Sequence, residues 1–187
     1  ESIAELPIIS PHGHVDPQLL VDNLPFPNPA TLFISPDHYT TRLMHAQGVD
    51  LAQLGVGRSD LTEAEARTAW KTFCSHWNVY SGTPVQYWFE SELAGIFGIE
   101  QIPSAQTADA IYDVIAAKLL TDAFLPRALL EQFKIELLAT TDDPADSLAA
   151  HQALAADPTF TGRVIPTFRP DRYLEPLKPG WAEAVAL

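Results

Sequence analysis

The chain has 187 residues, of which 47% are hydrophobic and 19% charged, and its 24 acidic residues against 11 Lys and Arg give a net charge of −13. That is enough apolar material for a substantial buried core, and the ordinary composition excludes disordered and fibrous classes. The negative charge, with no basic cluster to offset it, argues against nucleic acid and anionic membrane as partners; a small anionic substrate stays compatible, because a few cationic groups in a pocket can supply the charge locally.

The first apolar run, residues 6–10, is short and β-branched and leads directly into Pro11-His12-Gly13-His14-Val15-Asp16. It reads as a buried strand delivering two histidines at its carboxyl end. Residues 25–36 are proline-rich and read as a loop. From residue 37 to about residue 133 the periodicity is mostly helical, with breaks at Gly48, at Gly55 and Gly57, at Gly82-Thr83-Pro84 and at Gly98. Capping residues suggest one helix starting near residues 59–60 and another near residues 104–107 that continues to residue 120.

Cys74 lies in this helical region between Phe73 and Trp77 and is the only cysteine, which excludes an intrachain disulfide or thiolate cluster. Its aromatic surroundings point to an inert buried thiol, and a reducing cytoplasm fits. Two further strands are expected at residues 135–141 and 163–168, ending in Asp142-Asp143-Pro144 and Arg169-Pro170-Asp171, with a helical pattern over residues 147–156 between them. Strand, helix and strand in succession predict a parallel crossover unit and an α/β fold. Polar residues follow every expected strand, on the face where barrel enzymes gather their chemistry. No run approaches the ~20 apolar residues of a membrane span, and the acidic start lacks the basic region of a signal peptide. The missing initiator Met implies that residues before Glu1 were removed or never included.

Side chains two apart in an extended strand share a face, so His12 and His14 can reach one ion, and neutral imidazoles suit zinc, manganese or iron. Ordinary solvated histidines are the competing reading. Asp37-His38-Tyr39, with Arg42 one turn on, reads equally as a helix cap followed by first-turn residues. Asp142 and Asp143 have a plain role as acceptors for the next helix. Arg169 is either a surface arginine or, at a strand's carboxyl end, a fork for a substrate carboxylate. His45, His76 and His151 lack a nearby second ligand and are assigned to packing or surface.

Together, His12-Gly13-His14, the run from Asp37 to Met44, Thr140-Thr141-Asp142-Asp143-Pro144 and Phe168-Arg169-Pro170-Asp171 resemble the uronate (glucuronate) isomerases of the amidohydrolase superfamily, in order and rough separation. The resemblance implies the amino-terminal portion of a distorted (β/α)8 TIM barrel with a large helical insertion after strand 1, all 187 residues forming one partial metal-dependent barrel domain. It implies interconversion of D-glucuronate with D-fructuronate, and of D-galacturonate with D-tagaturonate. His12 and His14 are similar to the family's metal ligands, for a divalent ion, zinc foremost. His38 and Tyr39 look like its active-site pair, with His38 and Arg169 contacting substrate. The family more often has a larger residue than Gly13 between the histidines.

The isomerisation moves a proton between neighbouring carbons through an enediolate, which requires a base and an oxyanion stabiliser. Tyr39 is the candidate base, and a phenol in that role needs a cation such as Arg169 nearby. The family's chain is more than twice as long and carries an acidic metal ligand after the eighth strand. Three strands can be placed here where such a barrel has eight. The chain by itself is therefore expected to be inactive unless a complementing chain or a homo-oligomeric partner supplies the rest. A metal-dependent hydrolase of the same superfamily and a non-catalytic subunit remain the alternative readings.

Overall fold

A computed structural model of the chain describes residue 3 and residues 5–186. It divides into two compact units, one made of residues 1–24 and 126–187 and the other of residues 25–125. The first is α/β. Its strands β1 (Ile8–Ser10), β2 (Ile135–Asp142) and β3 (Arg163–Phe168) form a parallel sheet in that order. Ile9 pairs with Leu137 and Ser10 with Leu138, while β2 pairs with β3 from Leu137 opposite Arg163 to Asp142 opposite Phe168. The parallel sheet is the one the strand and helix pattern predicts, although β1 is shorter than residues 6–10. Pro166 cannot donate to a ladder, and it is accommodated because β3 lies on the outside of the sheet among the described residues.

Helices α1 (Gln18–Asp22), α7 (Pro126–Gln132) and α8 (Ala149–Ala156) belong to the same unit. Leu20, Leu130, Leu138 and Leu154 form its buried cluster, with Ile135, Phe160 and Val164 against them. Arg127 ties these elements by donating to the Leu20 carbonyl at 2.7 Å and to Asp157 at 2.7 Å. The hydroxyl and amide of Thr159, followed by Arg127, hold the Asp157 carboxyl down at about 2. Two short helices, α9 (Asp171–Leu174) and α10 (Trp181–Val185), close the unit, and the Trp181 ring N–H donates to the Tyr173 carbonyl.

The second unit is helical: α2 (Pro29–Phe33), α3 (His38–Ala46), α4 (Glu63–Ser75), α5 (Pro84–Gly95) and α6 (Ala108–Leu119). Three expectations are corrected here. The proline-rich residues 25–36 are not loop throughout, because Asn28 caps the Thr31 amide and Pro29 occupies the first helical position, where no donor is needed. The helix expected from residues 59–60 starts at Glu63, because Thr62 and Glu65 close a reciprocal capping box. Arg58 and then Thr62 hold the Glu65 carboxyl down at about 2. The helical stretch expected to run to about residue 133 also divides, since α7 packs with the sheet unit.

The core of the helical unit is aromatic. Phe73 is fully buried, with ring centroids 4.7 Å from Phe89, 5.4 Å from Tyr80 and 5.6 Å from both Trp70 and Trp77. Cys74 is buried beside it, and that burial pushes its thiol up to about 12, so it is inert. The polar tips inside are satisfied: Tyr80 donates to the Thr40 carbonyl at 2.8 Å and Trp70 to the Ala108 carbonyl at 3.1 Å. Because four rings surround Phe73, Phe73→Ala should cost the helical unit about 3–5 kcal/mol, read as a lowered urea midpoint in tryptophan fluorescence.

Candidate functional site

In the sheet unit, the parallel strands bring their carboxyl ends to one side, and the residues after β1, β2 and β3 gather there. His12 and His14 lie past the end of β1 in a segment without regular structure, so strand alternation does not align them. Their rings nevertheless converge, in a T-shaped arrangement with the two Nε2 atoms 3.1 Å apart. As neutral rings they can share one hydrogen bond; with both nitrogens unprotonated, the spacing suits two ligands each about 2.0–2.1 Å from one ion. The donor set therefore fits a zinc-like cation, although no group of three His, Cys, Asp or Glu suited to an ion occurs among the described residues.

The peptide between the histidines touches β2. Thr141 Oγ1 donates to the Gly13 carbonyl at 2.7 Å, and a Cβ at Gly13 would lie only 3.0 Å from the Ala139 carbonyl oxygen. The glycine lets the loop lie flat against the strand.

Beside the pair is a cleft of about 470 Å³ lined by His14, Asp16, Gln18, Asp142 and His151. Its inner wall is a polar cluster that the sequence did not disclose. Thr140 Oγ1 lies 2.6 Å from Asp142 Oδ2 and 2.7 Å from His151 Nε2, and the Asp142 and His151 side chains are each 8% exposed. A hydroxyl has one proton, so when Thr140 donates to the carboxylate, His151 Nε2 donates to Thr140. His151 Nδ1 is then buried without a partner. His151, assigned to packing or surface, is thus a hydrogen-bonded wall of the cleft; its spacing of eleven from Thr140 offers no local signal.

The helix-cap reading of Asp142 and Asp143 is corrected as well. Helix α8 starts later, after Leu148 in the left-handed region, and Asp146 takes the Leu148 amide. Asp143 instead accepts from the Ala145 amide and from the Tyr173 hydroxyl at 2.7 Å, and that hydroxyl holds its carboxyl below the usual range. Arg169 follows β3, half-exposed and 2.5 Å from Asp171.

The other candidates lie in the helical unit. Asp37 caps α3 by accepting the Tyr39 amide at 2.8 Å and the Thr40 hydroxyl at 2.9 Å, as its position predicts. Tyr39 is 44% exposed, with His38 stacked at 4.1 Å, the Arg42 guanidinium 4.9 Å over its ring and the Trp88 edge at 6.1 Å. His45 and His76 bond to nearby carbonyls, Val49 and Thr72, in structural roles.

An α/β protein with convergent histidines at the carboxyl edge of a parallel sheet is the class these features define. The chain belongs to the glucuronate isomerase family, whose profile matches residues 1–186. It is 53% identical over 181 residues to the uronate isomerase of Cutibacterium acnes and 54% identical over 183 residues to that of Corynebacterium efficiens, covering 97% of this chain in each case. The crystal structure of glucuronate isomerase from Caulobacter crescentus superposes with a TM-score of 0.91 at 39% identity, over 97% of this chain and 38% of that one. The chain spans 38% of the length of both of those curated relatives.

Glu92 on α5 gives this part of the molecule a pH signature. Burial, and secondarily the charge of Asp37, push its carboxyl from the ordinary 4.5 up to about 7. The fold therefore binds a proton there that the unfolded chain releases, so stability falls as pH rises from 4.5 to 7. Glu92→Gln should raise the melting temperature at about pH 8, with the gap to wild type closing on acidification through that window.

Proposed function

We propose that this chain supplies the opening part of a metal-dependent uronate isomerase site that interconverts D-glucuronate with D-fructuronate and D-galacturonate with D-tagaturonate. The observation that carries the reading is the convergence of His12 and His14 at 3.1 Å, on the carboxyl side of a parallel sheet, in a member of the glucuronate isomerase family. The sheet is read as the first three strands of a distorted (β/α)8 barrel, and residues 25–125 as a helical insertion after β1. Exposed Ile9 and Ile165 on the sheet support further covering structure over apolar surface that would otherwise face water. The full-length protein is read as cytoplasmic, in keeping with a lone buried thiol.

With an ion bound, zinc foremost, His12 and His14 would hold a Lewis acid that polarises substrate oxygens. The remaining ligands would come from elsewhere in the full-length protein or from a complementing subunit. Tyr39 is the proton carrier, exposed enough to meet a substrate and held in place by His38 and Arg42. Arg169 takes the substrate carboxylate. Its present partner Asp171 does not prevent this, since an exposed ion pair is worth only about 0–1 kcal/mol and a bidentate guanidinium–carboxylate pair in a closed site is worth more. His38 supports the substrate beside Tyr39.

The test is conversion of D-glucuronate by the full-length protein carrying this segment, followed by NMR of the sugar. Tyr39→Phe should lower turnover by about 10²–10⁴-fold with little change in KM, because it removes the proton carrier and leaves binding contacts in place. Arg169→Met should harm both turnover and KM. Near-normal turnover in Tyr39→Phe would remove Tyr39 from the mechanism.

A further inference from the structure

We infer that Thr141 is the positioning residue of the histidine pair: its hydroxyl, by holding the Gly13 carbonyl, sets the convergence of His12 and His14 and hence the affinity of this site for a divalent cation. The inference rests on the metal reading above and deepens it. The two rings meet through their Nε2 atoms, but that contact forms only once the backbone has brought them together. They lie beyond β1, so no ladder fixes them, and both are exposed, so no core packing holds them. The Ser10 hydroxyl, at the end of β1, reaches the His12 carbonyl at a longer 3.3 Å and acts on His12 alone.

The contact from Thr141 is different in kind. At 2.7 Å it crosses from β2 to the peptide between the two histidines, from a residue whose own backbone is fixed by pairing with Thr167. A second restraint acts on the same peptide. Gly13 approaches the Ala139 carbonyl so closely that a Cβ would sit at 3.0 Å, so close approach to β2 and the hydrogen bond from Thr141 both restrain it. Fixing Gly13 and its carbonyl holds the one residue that links His12 to His14, which favours a backbone course on which the two side chains meet at one ion. Partners that orient metal ligands without touching the metal typically change affinity by about 10–100-fold when removed.

Thr141 suits the role because alternation along β2 divides the work of its neighbours. Thr140 points to the buried face, where its hydroxyl serves Asp142 and His151, and Thr141 points to the opposite face, toward the loop after β1. Val replaces Thr without loss of shape or β-propensity and removes only the donor, so it isolates the hydrogen bond.

The experiment is a Zn²⁺ titration of the full-length protein carrying this segment, wild type and variants, against a chromophoric chelator, with the ring-proton NMR signals of His12 and His14 as the site-specific readout. Thr141→Val should weaken zinc binding by about tenfold or more and separate the ring signals' response, and Thr141→Ser, which keeps the hydroxyl, should restore both. Thermal melting of each variant confirms the fold, and Thr141→Ala takes the place of Thr141→Val if the latter does not fold. If Thr141→Val binds zinc within twofold of wild type while His12→Ala and His14→Ala lose it, the positioning role is overturned and the metal site stands. If His12→Ala and His14→Ala bind zinc as wild type does, the metal reading itself fails, and this inference falls with it.

Discussion

The parallel pairing of Ile9 with Leu137 and Ser10 with Leu138 is the constraint on which the sheet unit depends. The chain leaves β1 after three residues, and β2 begins only at Ile135, so the pairing joins segments separated by more than the whole helical unit. Three residues of strand cannot hold themselves in place, because a short strand gains little burial against the entropy of ordering it. β2 supplies the missing restraint through its ladder and through the Thr141 hydroxyl. The histidine segment is therefore organised by a residue that follows it by 128 positions.

The same economy governs the charges. An acidic excess spread over a surface would repel itself, but many of the carboxylates have local tasks. Asp37, Asp50, Asp143 and Asp157 each accept a backbone amide two residues on. The cations are spent as bridges: Arg58 spans Asp60 and Glu65, Arg67 spans Glu63 and Asp113, and Arg127 joins Asp157 to a backbone carbonyl. Arg42 differs, since it lies over the Tyr39 ring and makes no ion pair among the described residues.

Burial separates the supporting polar groups from the reactive candidates. Thr140, Asp142 and His151 sit inside, where each hydrogen bond is strengthened by the loss of water and where an unpartnered Nδ1 is costly. His12, His14, Tyr39 and Arg169 are exposed, able to meet a ligand. The first group builds the cleft wall in a fixed shape, and the second remains available for exchange of partners.

The order of motifs, the three strands and the helical character of the middle of the chain were legible in the sequence, because each depends on local periodicity, β-branched runs and caps. Asp37 as a cap was legible for the same reason. The His12 and His14 pair could be singled out from spacing, but the alternation argument named the wrong cause: the residues lie in a loop, and Thr141 aligns them. What only the tertiary structure decided are the contacts between distant residues. No local pattern links Thr141 to Gly13, Thr140 to His151 or Trp88 to Tyr39, since each pair meets through the packing of separate elements. Even the short helix at Pro29–Phe33 escaped the composition, because proline at a first helical position costs nothing while proline inside a helix breaks it.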